Sequence, residues 1–211
     1  MKLLVATRSR HKMEEIREIL DGVPDLLVLS LDDAGIPPSS EEAELEPFQT
    51  FAENARSKAR HFHAVSGLPT VADDSGLEVE ALGGQPGVRS KRFAPDPGLH
   101  GTARDRANNQ HLLERLHGVP PEGRGARYVC VAVLIDGDGP PLEFRGEAPG
   151  RILTAERGRG GFGYDPLFHD PELGTTFACI PREEKNARSH RGKAFRALAD
   201  HLRQSGRAAS A

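Results

Sequence analysis

The chain has 211 residues, with 28 Lys and Arg against 31 Asp and Glu, no Trp and two Tyr. That length supports one substantial domain, whose core must come mainly from aliphatic side chains. A formal net charge of −3 and only two cysteines, Cys130 and Cys179, in separate segments exclude a basic nucleic-acid-binding surface, a disulfide framework and a cysteine zinc site.

Lys2–Ala6 predicts a first strand, interrupted by charge too soon for a signal peptide. No apolar run approaches the roughly 18 residues of a membrane span, so a cytoplasmic chain is expected. Met13, Ile16, Ile19 and Leu20 recur at helical spacing, and Gly22 with Pro24 ends that helix. Leu26–Leu29 predicts a second strand. Asp32–Glu46 is acidic, carries Pro37-Pro38-Ser39-Ser40 and reads as an exposed loop.

Pro47 suits the first turn of a helix that continues through Phe48, Phe51, Ala52, Ala55, Ala59, Phe62 and Val65 and closes at Ser66-Gly67. Pro69–Ala72 predicts a strand running to Asp73-Asp74-Ser75-Gly76, where a turn is expected, with Leu77–Leu82 resuming the sheet. A helix near Arg104–Leu116 precedes the apolar strand Arg127–Ile135, which holds Cys130 as a small buried hydrophobe. Leu142–Ala148 pairs with that strand as a hairpin across Asp136-Gly137-Asp138-Gly139. Phe195, Leu198, Ala199 and Leu202 mark the last helix, and residues from Ser205 onward are expected to fray. The order predicts an α/β protein with a mixed sheet and two lobes around a cleft, a single unit over residues 1–204 with a tail at 205–211.

Four segments carry chemistry. Thr7-Arg8-Ser9-Arg10-His11-Lys12 lies where a strand meets a helix, and helix N-terminal amides attract phosphate. Thr7 and Ser9 add hydroxyls and Lys12 a charge, although Thr7 or Ser9 acting only as a helix cap fits the same residues. Asp73 and Asp74 suit a magnesium ion with phosphate oxygens and water, or an Asp-rich turn. Gly158–Pro166 formally contains GxGxxG, but Tyr164-Asp165-Pro166 opens no helix, so a Rossmann turn is excluded. A flexible loop or a rim approached by ligand remains, with Phe162 and Tyr164 flanking a flat base and Asp165 accepting hydrogen bonds. Lys185, His190 and Arg191 bring donors just before the last helix, where Ser189 is a credible cap. No serine-hydrolase elbow or complete P-loop is present.

In this order, Ala6-Thr7 through Lys12 with Glu15-Ile16, Phe51-Ala52-Glu53-Asn54-Ala55 with Lys58-Ala59, Ala72-Asp73-Asp74-Ser75-Gly76-Leu77, Leu82–Gly87, Gly160–Pro166 and Glu183–Gly192 resemble the inosine/xanthosine triphosphate pyrophosphatase family from Leu3 to about Leu202. The resemblance implies an elongated central mixed sheet with two α/β lobes, hydrolysis of ITP, dITP and XTP to monophosphate and pyrophosphate, Mg²⁺ and a homodimer. It implies that Thr7, Arg8, Ser9, Arg10, His11 and Lys12 cradle the triphosphate. Asp74 is then the general base and a metal ligand, Ser75 a substrate contact and Glu46 a second metal ligand. Phe162, Gly163, Tyr164, Asp165 and Lys185 line the nucleoside pocket, with His190 and Arg191 near the 6-oxo edge. Two places depart from the family pattern: Ser9 stands where Asn is usual, and Pro47-Phe48 where Thr-Gly is usual. A pyrophosphatase with another base preference and a non-catalytic nucleotide-binding module are the competing readings.

Overall fold

The apolar opening of the chain forms β1 (Lys2–Val5) at once, and Ser9 caps α1 (Arg10–Leu20) by accepting from the Lys12 amide. β2 (Leu27–Leu29) follows and pairs parallel with β1. The computed structural model describes residues 1–209. The acidic loop is less irregular than expected, because a 3-10 turn spans Ser40–Glu44 under a Ser39–Glu42 capping box.

Helix α2 runs Phe51–Ser66, four residues later than the Pro47 start expected. The reason is local: Thr50 Oγ1 accepts from the Glu53 amide and donates to its carboxylate, whereas the Phe48 amide is drawn to Asn54 Oδ1. β3 (Thr70–Val79) is one continuous strand straight through Asp73-Asp74-Ser75-Gly76, correcting the expected turn. Burial on a paired strand overrides the turn preference of that tetrapeptide.

α3 (Gly101–Arg115), β4 (Gly125–Ile135), β5 (Leu142–Ile152), β6 (Phe168–Asp170), β7 (Thr175–Thr176), α4 (Arg182–Arg188) and α5 (His190–Ala209) complete the chain. α5 stays helical through Ala209, beyond the Ser205 where fraying was expected; residues 210 and 211 of that tail lie outside the described residues. The strands form a seven-stranded sheet in the order β2-β1-β3-β4-β5-β6-β7, parallel at β2-β1-β3 and antiparallel at β5-β6-β7. The mixed α/β sheet read from the sequence is the one observed. Among the described residues no helix is long and apolar enough to cross a membrane.

Two compact units divide the chain. The first holds Met1–Asp74, Cys130–Gly146 and the residues from Arg191 onward. Its core packs Met13, Ile16 and Leu20 of α1 and Phe195, Leu198 and Leu202 of α5 against Leu3, Val5, Val71, Cys130 and Leu134 of the sheet. The second holds Ser75–Val129 and Glu147–His190, with Leu77, Leu112, Tyr128, Tyr164, Phe168 and Phe177 in its core.

Because Thr50 sets where α2 begins, Thr50→Ala lowers stability in urea denaturation by about 1 kcal/mol, whereas Thr50→Ser loses little. An Ala variant as stable as the parent would place the start signal elsewhere.

Candidate active site

Successive side chains of a strand point to opposite faces, so β3 sends Asp73 and Asp74 into different surroundings. Asp73 shares its face with Val71, toward α1 and α5. There its Oδ2 accepts from Lys12 Nζ at 2.9 Å and Arg191 Nη2 at 3.4 Å, with Cys130 Sγ at 3.8 Å. Arg191 Nη1 donates to Glu15 at 2.6 Å, and Glu15, Asp73 and Arg191 are all buried. Burial alone would raise the Asp73 pKa, but Lys12, Arg191 and Lys58 outweigh it and hold the carboxyl far below its usual range.

Asp74 is displaced the other way. Burial raises its pKa and Glu46 adds to the rise, against the opposing pull of Lys58 and Lys12. Asn54 Nδ2 donates to Asp74 Oδ2 at 3.0 Å. One turn further along α2, Lys58 donates to Glu46 and, at 2.6 Å, to the Asp73 carbonyl. Burial pulls the Lys58 ammonium down, and Glu46, Asp74 and Asp73 more than restore it.

Glu46 and Asp74 therefore offer hard oxygen donors whose charges repel each other, a donor set that suits magnesium. Among the described residues no group of three or more His, Cys, Asp or Glu is placed to hold a metal, so phosphate and water oxygens would fill the rest of its shell. That is how magnesium is ordinarily bound, and the residues present fit it.

The first loop is used more inwardly than its sequence suggests. Ser9 N donates to Thr7 Oγ1 and Lys12 N to Ser9 Oγ, so both hydroxyls act as local acceptors. Arg8 turns away, donating to Glu42, Asp32 and the Pro37 carbonyl, and so ties down the acidic loop. Arg10 pairs with Glu14, and Arg10 and His11 are exposed. The basic residues expected to face phosphate thus divide, with Lys12 alone joining Arg191 on Asp73. Arg191, expected at a base edge, spends its fork on Glu15 and Asp73.

In the second unit, Ser75 is half-buried on β3 and Asp165 is the hub of a separate cluster. Its carboxylate accepts from Lys185 Nζ at 2.6 Å, the Phe162 amide at 2.9 Å and Tyr128 Oη at 3.4 Å. The Lys185 ammonium also lies 4.5 Å from the centre of the Phe162 ring, and His190 stacks on Tyr128 at 4.5 Å. Tyr164, expected to flank a base, is instead a core residue whose hydroxyl donates to the Ser90 carbonyl at 2.8 Å. Its phenol is pushed up by burial and by Asp105. Phe162 is the part-buried aromatic of the pair.

The glycine cluster also serves internal packing rather than a flexible rim. A Cβ on Gly158 or Gly160 would crowd the Ala178 backbone, and one on Gly161, at φ 69°, would collide with the Asp165 carboxylate. Glu15, Asn54, Lys58, Asp105 and Tyr128 carried no functional expectation. Asn54 had one legible signal, a polar side chain among the buried positions Phe51, Ala55, Ala59 and Phe62 of α2.

A family model described as the Ham1 family matches residues 3–201. The chain is 49% identical over 201 residues to a dITP/XTP pyrophosphatase of Geobacter sulfurreducens, covering 95% of this chain and 96% of that protein. It is 48% identical over 198 residues to one of Thermus thermophilus, covering 94% of this chain and 90% of that protein. A HAM1 protein structure from Coxiella burnetii superposes with a TM-score of 0.83 at 35% identity, covering 97% of this chain and 99% of that one.

Asp73→Asn leaves Lys12 and Arg191 facing an uncharged buried group, so it should cost about 3–5 kcal/mol in chemical denaturation at pH 7. Because the folded pKa is depressed, the wild-type advantage is full above the unfolded carboxylate value of about 4 and shrinks as pH falls further. A difference that grew on acidification would contradict that assignment.

Proposed function

The chain belongs to the Ham1 family, and on that premise we propose that it hydrolyses deaminated purine nucleoside triphosphates (ITP, dITP and XTP) to the monophosphate and pyrophosphate. The observation that carries this is the opposite displacement of Asp73 and Asp74. Neighbouring carboxylates driven apart in pKa take different tasks. Asp73, held ionised, anchors Lys12 and Arg191 where phosphate charge must be met. Asp74, kept more basic than an ordinary aspartate, takes a proton from the attacking water.

Glu46 and Asp74 would hold Mg²⁺, which supplies charge neutralisation at the leaving pyrophosphate when bound. Lys58 fixes Glu46 and the Asp73 carbonyl, keeping both carboxylates in register with the phosphates. Asn54 orients Asp74 through Oδ2, so proton abstraction has a defined direction. Lys12 and the hydroxyls of Thr7 and Ser9 meet the triphosphate, and Ser75 makes a further substrate contact.

Phe162 stacks on the base, with Gly163, Asp165, Lys185 and His190 around it. Donors facing the 6-oxo group reject a 6-amino purine by setting donor against donor, and an unpaired buried polar group discriminates far better than apolar packing does. A cytoplasmic location and a homodimer accompany this reading, as suits an enzyme of the free nucleotide pool.

Pyrophosphate release from ITP, dITP, XTP, GTP, ATP and pyrimidine triphosphates, with Mg²⁺ and with chelator, tests the reading. The deaminated purines lead and chelation abolishes turnover; a pyrimidine preference, or binding without hydrolysis, overturns it. Asp74→Asn lowers kcat by about 10²–10⁴-fold, the range of a lost general base. Wild-type kcat falls on acidification, because only the ionised Asp74 carboxylate accepts the proton. An Asp74→Asn variant that folds and keeps near-wild-type kcat removes Asp74 from the role.

A further inference from the structure

Helix α3 lies outside every segment to which the sequence assigned chemistry, yet one of its turns holds the Phe162 loop, once directly and once through the Ser90 carbonyl. Asp105 Oδ2 accepts from the Gly163 amide at 3.0 Å. Three residues on, buried Asn108 donates to the carbonyls of Ser90 and Lys91, each at 3.3 Å, and accepts from the Ala94 amide at 2.9 Å. The Ser90 carbonyl so fixed is the one that receives the Tyr164 hydroxyl.

From the other side, Asp165 holds the Phe162 amide. Three consecutive residues thus have a polar group pinned to three different partners: Phe162 N to Asp165, Gly163 N to Asp105, and Tyr164 Oη to Ser90. Gly163 adopts a left-handed φ of 62°, a conformation that a side chain would strain. The loop is held by contacts internal to the chain, and the Phe162 ring has Lys185 over its face.

We propose that Asp105 is a positioning residue for base selection: by holding the Gly163 amide it pre-sets the Phe162 ring and the donors beside it. This rests on the reading of that loop as the base site. Ordering a loop at the moment of binding subtracts from affinity, and a pre-set loop avoids that loss. Discrimination between bases depends on donors in fixed places, so a slack loop blurs it. Asp105 itself touches no substrate, and its removal leaves Asp74, Lys12 and Glu46 in place.

The test compares Asp105→Ala with Asp105→Asn, whose Oδ1 still accepts from the Gly163 amide. In Asp105→Ala, KM for ITP rises about five- to tenfold, the range of one net hydrogen bond, while kcat stays within about twofold. The ratio of kcat/KM for ITP over ATP falls, and Asp105→Asn restores both quantities. Amide exchange at Phe162 and Gly163 quickens in the Ala variant and not in the Asn variant, while exchange along β4 is unchanged.

A folded Ala variant with parental exchange at Phe162 and Gly163 overturns the proposal. So does faster exchange with KM and the ITP-to-ATP ratio intact, or an Asn variant no better than Ala. A wild type that hydrolyses no triphosphate overturns the function itself and the selectivity role with it. In that case exchange still decides whether Asp105 orders the loop, so the two failures are told apart.

Discussion

The period of two along β3 is the constraint on which the site depends. It places neighbouring carboxylates on opposite faces of one strand, and each face is completed by different parts of the chain. Asp73 can remain ionised at 2% exposure only because Lys12 from α1 and Arg191 from α5 reach it. Burying a charge is costly unless its partners and hydrogen bonds are in place. The ion cluster therefore demands that the start of the chain, its middle and its last helix meet at one point. The apolar packing of α1 and α5 against Val71 and Cys130 of the same face supplies the free energy for that meeting.

Charge balance sets what the proposed polyanion would need at this place. Lys12, Lys58 and Arg191 face Glu15, Glu46, Asp73 and Asp74, three cations against four carboxylates. The cluster is nearly neutral and spends most of its positive charge on itself. A triphosphate would add negative charge beyond what Lys12 can answer, so on the proposed function a divalent cation held by Glu46 and Asp74 would supply the missing positive charge. Burial, with Glu46 beside it, raises the Asp74 pKa in the metal-free chain.

Periodicity made most helices and strands legible. Partner choice was not legible, because it depends on contacts distant in sequence. Asp73-Asp74-Ser75-Gly76 has turn chemistry, and only pairing within the sheet makes it strand. Arg8 looks like a phosphate donor until Glu42, 34 residues on, takes its guanidinium. Tyr164 and the glycines around it read as a ligand rim, yet Ser90, Ala178 and Asp165 are what they pack against. Asn54 and Lys58 were visible as one face of α2, but nothing local says that the face meets two aspartates on β3.

On the proposed function, Ser9 would combine a helix cap and a phosphate contact at one hydroxyl. Its Oγ accepts from the Lys12 amide at 3.4 Å, which occupies a lone pair. A hydroxyl has two lone pairs and one proton, so capping leaves the proton to be donated. Thr7 stands in the same position, because Oγ1 accepts from the Ser9 amide. A phosphate oxygen needs donors and nothing else, so it takes what the caps do not use. An amide side chain at position 9 would bring two donor protons and reach further. Serine brings one and holds it close to the helix start, where the helix dipole favours the same anion. On the proposed function the shorter residue would therefore keep the kind of contact and reduce its number, lowering affinity for the triphosphate without altering the chemistry at Asp74.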